Sequence, residues 1–444
     1  MLRRLVDWHL NNWKSEPNRK PLILRGARQV GKTHAVRNLG AGFDRFVEIN
    51  FELTPSACPI FEGDLHPEQI LNDLFTITGQ KIKPGETLLF LDEIQEAPRA
   101  ILALRYFYEK MPTLHVIAAG SLFDFALEKV GIPVGRVSSL YMYPLSFVEF
   151  LAAKGYAPII ESIMQNSALS KPSHEKLMAL LGEYFSIGGM PEAVAKWITS
   201  QNPKESFQVH HNLISSYRQD FEKYATKHQV KYLEALFQQI PHMVGELFQY
   251  KNIHGEYRKR ELAPALDLLC KTNTVHRIYH SAGNGLPLGG EVNLEWFKII
   301  LVDIAICQAI LGFDLSTWFS QPGIESVNRG NVTEAFVGQE LLCYSYPYGK
   351  AELYHWKRAE RSSLAEVDFL YPYKGRVLPI EVKSGDGRTL KSMHAFLEGH
   401  KNSPAGIRFS AEPQSVWEKI DSRPLYAVAS LAHEEQKKSI LSLI

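Results

Sequence analysis

The sequence predicts an α/β protein in three parts: a parallel-sheet core, a helical middle region and a second α/β region. Three observations lead there. First, residues 21–125 alternate short apolar runs with amphipathic stretches, the runs being Pro21–Leu24, Phe46–Phe51, Thr87–Asp92 and Leu114–Ala119. Continuous apolar strands spaced by helical segments imply a parallel sheet covered on both faces. Second, from about 145 to 280 Leu, Phe and Ala recur at helical spacing with few strand-like runs. Third, strand signals return after about 295, at Tyr354–Trp356, Val367–Leu370 and Val377–Val382. Boundaries at 145/146 and 290/291 follow, the second marked by Gly283, Gly285, Gly289 and Gly290. Three regions suit a 444-residue chain at about 150 residues per domain.

Lys and Arg number 49 against 48 Asp and Glu, a net charge of +1. That balance excludes coating nucleic acid by net charge alone, although a local basic groove would not show in the sum. With 45% hydrophobic and 22% charged residues, the bulk of the chain is globular. Cys58, Cys270, Cys307 and Cys343 lie far apart, with no CxxC pair. This spacing argues against a zinc ribbon or a disulfide framework and suits a reducing cytoplasm. The N-terminal stretch, broken by Asp7 and His9, reads as an amphipathic helix rather than a signal peptide. No apolar run reaches the ~18 residues of a membrane span, so no membrane partner is expected.

The chemistry begins at Gly26, Ala27, Arg28, Gln29, Val30, Gly31, Lys32 and Thr33, which fit G-x-x-x-x-G-K-[ST]. An apolar strand precedes this loop and helical sequence follows, the context the motif requires. Backbone N–H groups there cradle phosphate oxygens, Lys32 reaches the β/γ-phosphates and the Thr33 hydroxyl binds Mg²⁺. Leu88–Leu91 then runs into Asp92 and Glu93. A strand ending this way sets Asp92 at the sheet's C-terminal edge, to hold Mg²⁺, and Glu93 beside it, to polarise the attacking water. ATP/ADP and Mg²⁺ are the expected cofactors.

Two further positions are open. Ser121, after Ala118-Ala-Gly, is either a γ-phosphate sensor or part of a plain strand-end turn. Arg136 is either an arginine finger or a surface ion-pair partner.

The phosphate loop, Leu-Phe-Leu-Asp-Glu-Ile-Gln, Ala-Gly-Ser, Gly-Arg, Pro144-Leu-Ser-Phe-Val-Glu149 and Gly188-Gly-Met-Pro191 occur in that order. The sequence resembles the prokaryotic AAA-type P-loop ATPases allied to the signal-transduction ATPases with numerous domains. The resemblance implies that Gly189 and Pro191 contact nucleotide and lead into a winged helix. The helices and strand of residues 230–280 resemble that winged helix, and Arg258, Lys259 and Arg260 precede its third helix. Those cations either touch nucleic-acid phosphates or are merely solvated, and the neutral total favours the second.

Near the end, Ala365–Tyr373 and Arg376–Lys383 each alternate as strands, joined by Lys374-Gly375. Such a turn makes paired positions sum to 749, so Asp368 faces Glu381 and Glu366 faces Lys383 on one side of the sheet. Opposed carboxylates ~5 Å apart repel unless compensated, and a divalent cation compensates, with Lys383 able to activate water. Asp368, Glu381 and Lys383 resemble the PD-(D/E)xK nuclease fold, with Val367 where that motif has Pro. The resemblance implies a restriction-endonuclease-like α/β C-terminal domain and a further acidic ligand from a helix. Glu340 occupies the matching place, with Glu334 as a substitute.

Two functional readings result. One is an ATP-dependent, Mg²⁺-dependent nuclease acting on DNA or RNA. The other is a nucleotide-controlled switch whose C-terminal domain binds without cutting. Convergence of Asp368, Glu381, Lys383 and Glu340 on a metal-sized gap favours the first, and a blocked or divergent arrangement the second. A remodelling ring, with Arg136 acting across a subunit interface, ranks below both.

Overall fold

The computed structural model describes residues 2–131, 133–313, 330–358, 365–383 and 390–444. The chain divides into two compact units: Arg3–Tyr143 with Tyr346–Lys350, and Pro144–Ser345 with Ala351–Ile444.

The first unit is built on a five-stranded parallel sheet. Its strands are β1 (Leu22–Arg25), β2 (Arg45–Asn50), β3 (Thr87–Asp92), β4 (His115–Ala119) and β5 (Ser138–Tyr141), in the order β2-β3-β4-β1-β5. All six residues of β3 and all five of β4 are buried. This is why those runs read as unbroken apolar stretches rather than alternating ones. One face packs Ile23, Val47, Ile49, Leu89, Leu91 and Val116 against Ile101, Leu104 and Phe107 of the helix Pro98–Lys110. The order places the C-terminal ends of β1 and β3 on either side of β4, all pointing one way. Loops leaving those ends therefore gather at one sheet edge, where open α/β sheets take their ligands.

The second unit begins helical, with Lys171–Ile187, Pro191–Ser200, Pro203–Tyr224, Lys227–Gln239 and Lys259–Lys271 as its longer early helices. Proline opens two of these at the first helical position, where its missing N–H costs nothing. An eight-stranded mixed sheet follows. Its strands are β6 (Val275–Ser281), β7 (Val292–Leu301), β8 (Leu353–Lys357), β9 (Glu366–Tyr373), β10 (Arg376–Lys383), β11 (Gly406–Ser410), β12 (Ser415–Trp417) and β13 (Ile420–Pro424). Their order is β12-β13-β11-β10-β9-β8-β6-β7.

That order corrects the expected boundary at 290/291. β6 pairs antiparallel with β7 and parallel with β8, so strands from both sides of the boundary share one sheet. The glycines at 283–290 serve a β6–β7 connection instead of a linker. β6 and β7 are thus part of a larger sheet and not a free-standing wing after the helices.

The β9–β10 hairpin has the expected register, Arg376 opposite Tyr373 through to Ile380 opposite Phe369. Lys374 at φ +49° and Gly375 at φ +74° both occupy the left-handed region, as a two-residue hairpin turn matching the strand twist demands. The helix Gly330–Tyr344 packs on this sheet at Gly338, where an added Cβ would lie 3.0 Å from Ile300 Cδ1 and 3.2 Å from the Phe369 ring. Its described side chains are almost all buried.

Candidate nucleotide site and a lysine-filled carboxylate cluster

In the first unit the phosphate loop leaves β1 at Gly26, whose φ is +148°. A Cβ there would sit 2.1 Å from the Met142 carbonyl oxygen, so only glycine passes. Gly31, at φ +97°, then caps the helix Lys32–Gly40. Lys32 Nζ lies folded into the loop, donating to the Gly26 and Ala27 carbonyls at 3.0 and 2.7 Å. Burial pushes this ammonium down to about 8, against the opposing pull of Glu93 and Asp92. Lys32 is thus a desolvated cation whose hydrogen bonds go to two neutral carbonyls.

Three oxygen- or nitrogen-bearing side chains meet at the end of β3. Thr33 Oγ1 donates to Asp92 Oδ2 at 3.0 Å, and Asn50 Nδ2 donates to the same oxygen at 3.2 Å. Burial, then the Glu93 charge, raises Asp92 above the usual carboxylate range. One hydroxyl and one carboxylate 3.0 Å apart, beside a phosphate loop, form a hard-oxygen donor set of the kind Mg²⁺ shares with nucleotide phosphates. Asn50 was not singled out from sequence. Its signal is register: it stands directly opposite Asp92 across the β2–β3 pair. Its own Oδ1 accepts from the Glu52 and Leu53 N–H groups, fixing the amide's orientation. Glu93 follows at φ +49°, and Gln95 Nε2 donates to its Oε2 at 2.6 Å.

Ser121 is buried at the end of β4. Arg136 Nε donates to Glu109 Oε1 at 2.8 Å, an oxygen Arg105 also shares at 3.1 Å. A helix of the sheet layer, rather than the phosphate loop, supplies its partner. Gly189 and Pro191 belong to the second unit. Both backbone groups of Gly189 are committed there, its N–H to Asp303 Oδ2 at 2.7 Å and its carbonyl to the Leu145 N–H at 2.6 Å. Pro191 opens a helix.

The C-terminal carboxylates are arranged differently from the expectation. Asp368 Oδ2 accepts from the Val382 N–H at 2.7 Å, which draws it to the Glu381 end of the hairpin. At the centre of the cluster, however, stands Lys298 from β7, with 1% of its side chain exposed. Its Nζ lies 2.9 Å from Glu334 Oε1, 2.5 Å from Glu366 Oε1 and 3.6 Å from Asp368 Oδ1. Burial works against this charge, but Glu334, Asp368 and Glu366 outweigh it and hold the proton well above the ordinary lysine value. Lys357 completes Glu366 at 3.2 Å. Lys383 pairs with Glu381 Oε1 at 2.5 Å, not with Glu366 as the opposed register predicts. Glu381 Oε2 is buried without a hydrogen-bond partner, and burial, then the Asp368 charge, pushes the carboxyl up to about 7.

Glu340 is not part of this cluster. Its Oε1 accepts from the Phe147 N–H at 2.9 Å and its Oε2 from the Tyr344 hydroxyl at 2.5 Å. The cause is helical geometry: Glu334 and Gly338 share the face toward β7 and β9, whereas Glu340 lies about 240° around the helix from Glu334. The proposed donor set Glu340, Asp368 and Glu381 therefore does not assemble. Among the described residues no group of three or more His, Cys, Asp or Glu side chains is placed to hold a metal ion. The Lys298 ammonium compensates Asp368 from 3.6 Å, whereas Glu381 pairs with Lys383 and is still pushed up by the Asp368 charge.

Three family models match separate parts of the chain. Residues 18–151 match the model of an AAA domain. Residues 178–317 match a domain of unknown function, DUF8612, and residues 329–423 another, DUF4143. No curated protein matches the chain. Among solved structures it is similar to the Walker-type ATPase Paby2304 of Pyrococcus abyssi, at 14% identity and a TM-score of 0.44, covering 70% of this chain and 96% of that one. It is also similar to the ORC1 protein of Aeropyrum pernix in complex with DNA, at 12% identity and a TM-score of 0.27, covering 71% and 92%. The AAA match and the phosphate loop together make the first unit a P-loop ATPase domain. Among the described residues no helix is long and apolar enough to cross a membrane.

Replacing Lys298 by Met leaves Glu334 and Asp368 without their counter-charge and Glu366 with Lys357 alone. Breaking a buried pair in this way costs about 3–5 kcal/mol, read as a lowered denaturant midpoint. Adding Glu334→Gln should recover part of the loss, whereas an unchanged midpoint for Lys298→Met would show the ammonium to be dispensable.

Proposed function

We propose that this protein binds and hydrolyses ATP in its first unit, and that its second unit is a nucleotide-regulated binding module that does not cleave. The observation carrying the first half is the convergence of Lys32, Thr33, Asp92 and Glu93 at one sheet edge. Lys32 trades the Gly26 and Ala27 carbonyls for β/γ-phosphate oxygens, gaining a charged partner for a desolvated ammonium. Thr33 and Asp92 would hold Mg²⁺, which neutralises the charge developing on the phosphates. Glu93 accepts the proton of the attacking water, positioned one residue beyond the metal-side carboxylate.

The observation favouring a non-cleaving second unit is Lys298. A metal-dependent nuclease site needs an open, anionic gap, and here three carboxylates already share a buried cation. A fold resembling that of a nuclease does not by itself supply the reaction. Asp368, Glu381 and Lys383 then act as an ion network that fixes β9 and β10.

Two outcomes test the ATPase half. Glu93→Gln should retain ATP binding and lower turnover by ~10²-fold or more, the usual contribution of a positioned base. Steady-state phosphate release measures it, and wild-type turnover in that variant would contradict the assignment. ATP affinity should also depend on alkaline pH. Lys32 titrates near 8 in the free protein, and only its protonated form binds phosphate well. Affinity is therefore level below that value and falls above it, by up to ~10-fold per pH unit. A fluorescent-nucleotide titration showing constant affinity a full unit above would remove Lys32 from the phosphate contacts.

A further inference from the structure

Gln95 stands in the short turn Ile94–Glu96, immediately after the two carboxylates that end β3. Its side-chain amide is engaged from one side only. Nε2 donates to Glu93 Oε2 at 2.6 Å, while Oε1 is buried and has no hydrogen-bond partner. That oxygen rests against the bare Cα of Gly120, since a Cβ built on Gly120 would lie 2.2 Å from it. Gly120 follows directly on β4, the strand between β3 and β1.

An amide is held in this orientation by its chemistry. Turning it over would face the amide oxygen to the Glu93 carboxylate, two acceptors with no proton between them. A buried acceptor without a partner carries a desolvation cost, so the contact with Glu93 must be worth keeping. The absence of a side chain at Gly120 is what makes room for it.

The geometry points to Gln95 as the positioning residue for Glu93 in ATP hydrolysis, with Gly120 providing its seat. The amide takes Oε2 and fixes the carboxylate's rotation. Oε1 is thereby left as the oxygen that faces the attacking water. A general base held by a third group in this manner follows the logic of a nucleophile–base–orienting-group triad. In this role Gln95 acts through Glu93, the acceptor of its amide N–H. The inference rests on the reading of Glu93 as the base.

The test uses the full chain and separates rate from binding. Gln95→Ala should lower kcat about tenfold while leaving KM for ATP within about twofold. Gly120→Ala, which drives a methyl into the amide, should give the same split. The decisive arm repeats Gln95→Ala in a Glu93→Gln background. There the residual rate should not fall further, because the group being positioned is already disabled. A kcat unchanged by Gln95→Ala overturns the inference and leaves the ATPase reading standing. So does a loss that persists undiminished in the Glu93→Gln background, which would mean that Gln95 acts on something else. A wild-type chain that binds ATP yet never hydrolyses it ends both the reading and the inference.

Discussion

A lysine ammonium removed from water must meet negative charge, and in the second unit this constraint draws three separated segments to one point. Lys298 on β7, Glu334 on the helix Gly330–Tyr344 and the pair Glu366 and Asp368 on β9 are joined by that single nitrogen. β7 is the edge of the sheet and β9 lies three strands inward, with β6 and β8 between. The helix is therefore clamped across the sheet face by charge as well as by the close approach at Gly338. The isolated carboxylates would repel, and the isolated ammonium would lose its proton. With Lys357 on Glu366 and burial pushing Glu334 up to about 8 they compensate one another, though a buried ion pair of this kind specifies an arrangement more reliably than it stabilises one.

The first unit is organised by the opposite circumstance. At its sheet edge Lys32 has no carboxylate within its hydrogen bonds and is satisfied by two carbonyls. Asp92 has no cation within its hydrogen bonds and is satisfied by Thr33 and Asn50. On the proposed function, a ligand that brings both phosphate and metal completes this arrangement. On that reading the two acidic sites differ in what supplies the missing charge: a ligand from outside in one, the chain's own lysine in the other.

The nucleotide site was legible because its information is local. Eight consecutive residues, a preceding apolar strand and a later Asp-Glu pair define it without reference to distant packing. The β9–β10 register was legible for the same reason, since period-two alternation and Lys374-Gly375 decide it between them. Glu334 was harder to separate from Glu340. The helix carrying both is apolar on nearly every side, so periodicity does not say which face meets the sheet. That choice depends on Lys298, 36 residues before Glu334. A signal was nevertheless present: Trp296-Phe-Lys298-Ile-Ile-Leu places one lysine inside an apolar strand, which requires a buried carboxylate partner. The glycines at 283–290 read as a domain boundary but join β6 to β7 within one sheet, because glycine composition carries no information about how the flanking strands pair.

The central claim is that metal chemistry belongs to the first unit alone. Titrating the full chain with Mn²⁺ and counting bound ions by electron paramagnetic resonance, with and without ADP, tests it directly. The account predicts no tightly bound ion without nucleotide and one per chain with it, lost in Asp92→Asn. An ion bound without nucleotide, and lost in Asp368→Asn, would contradict it.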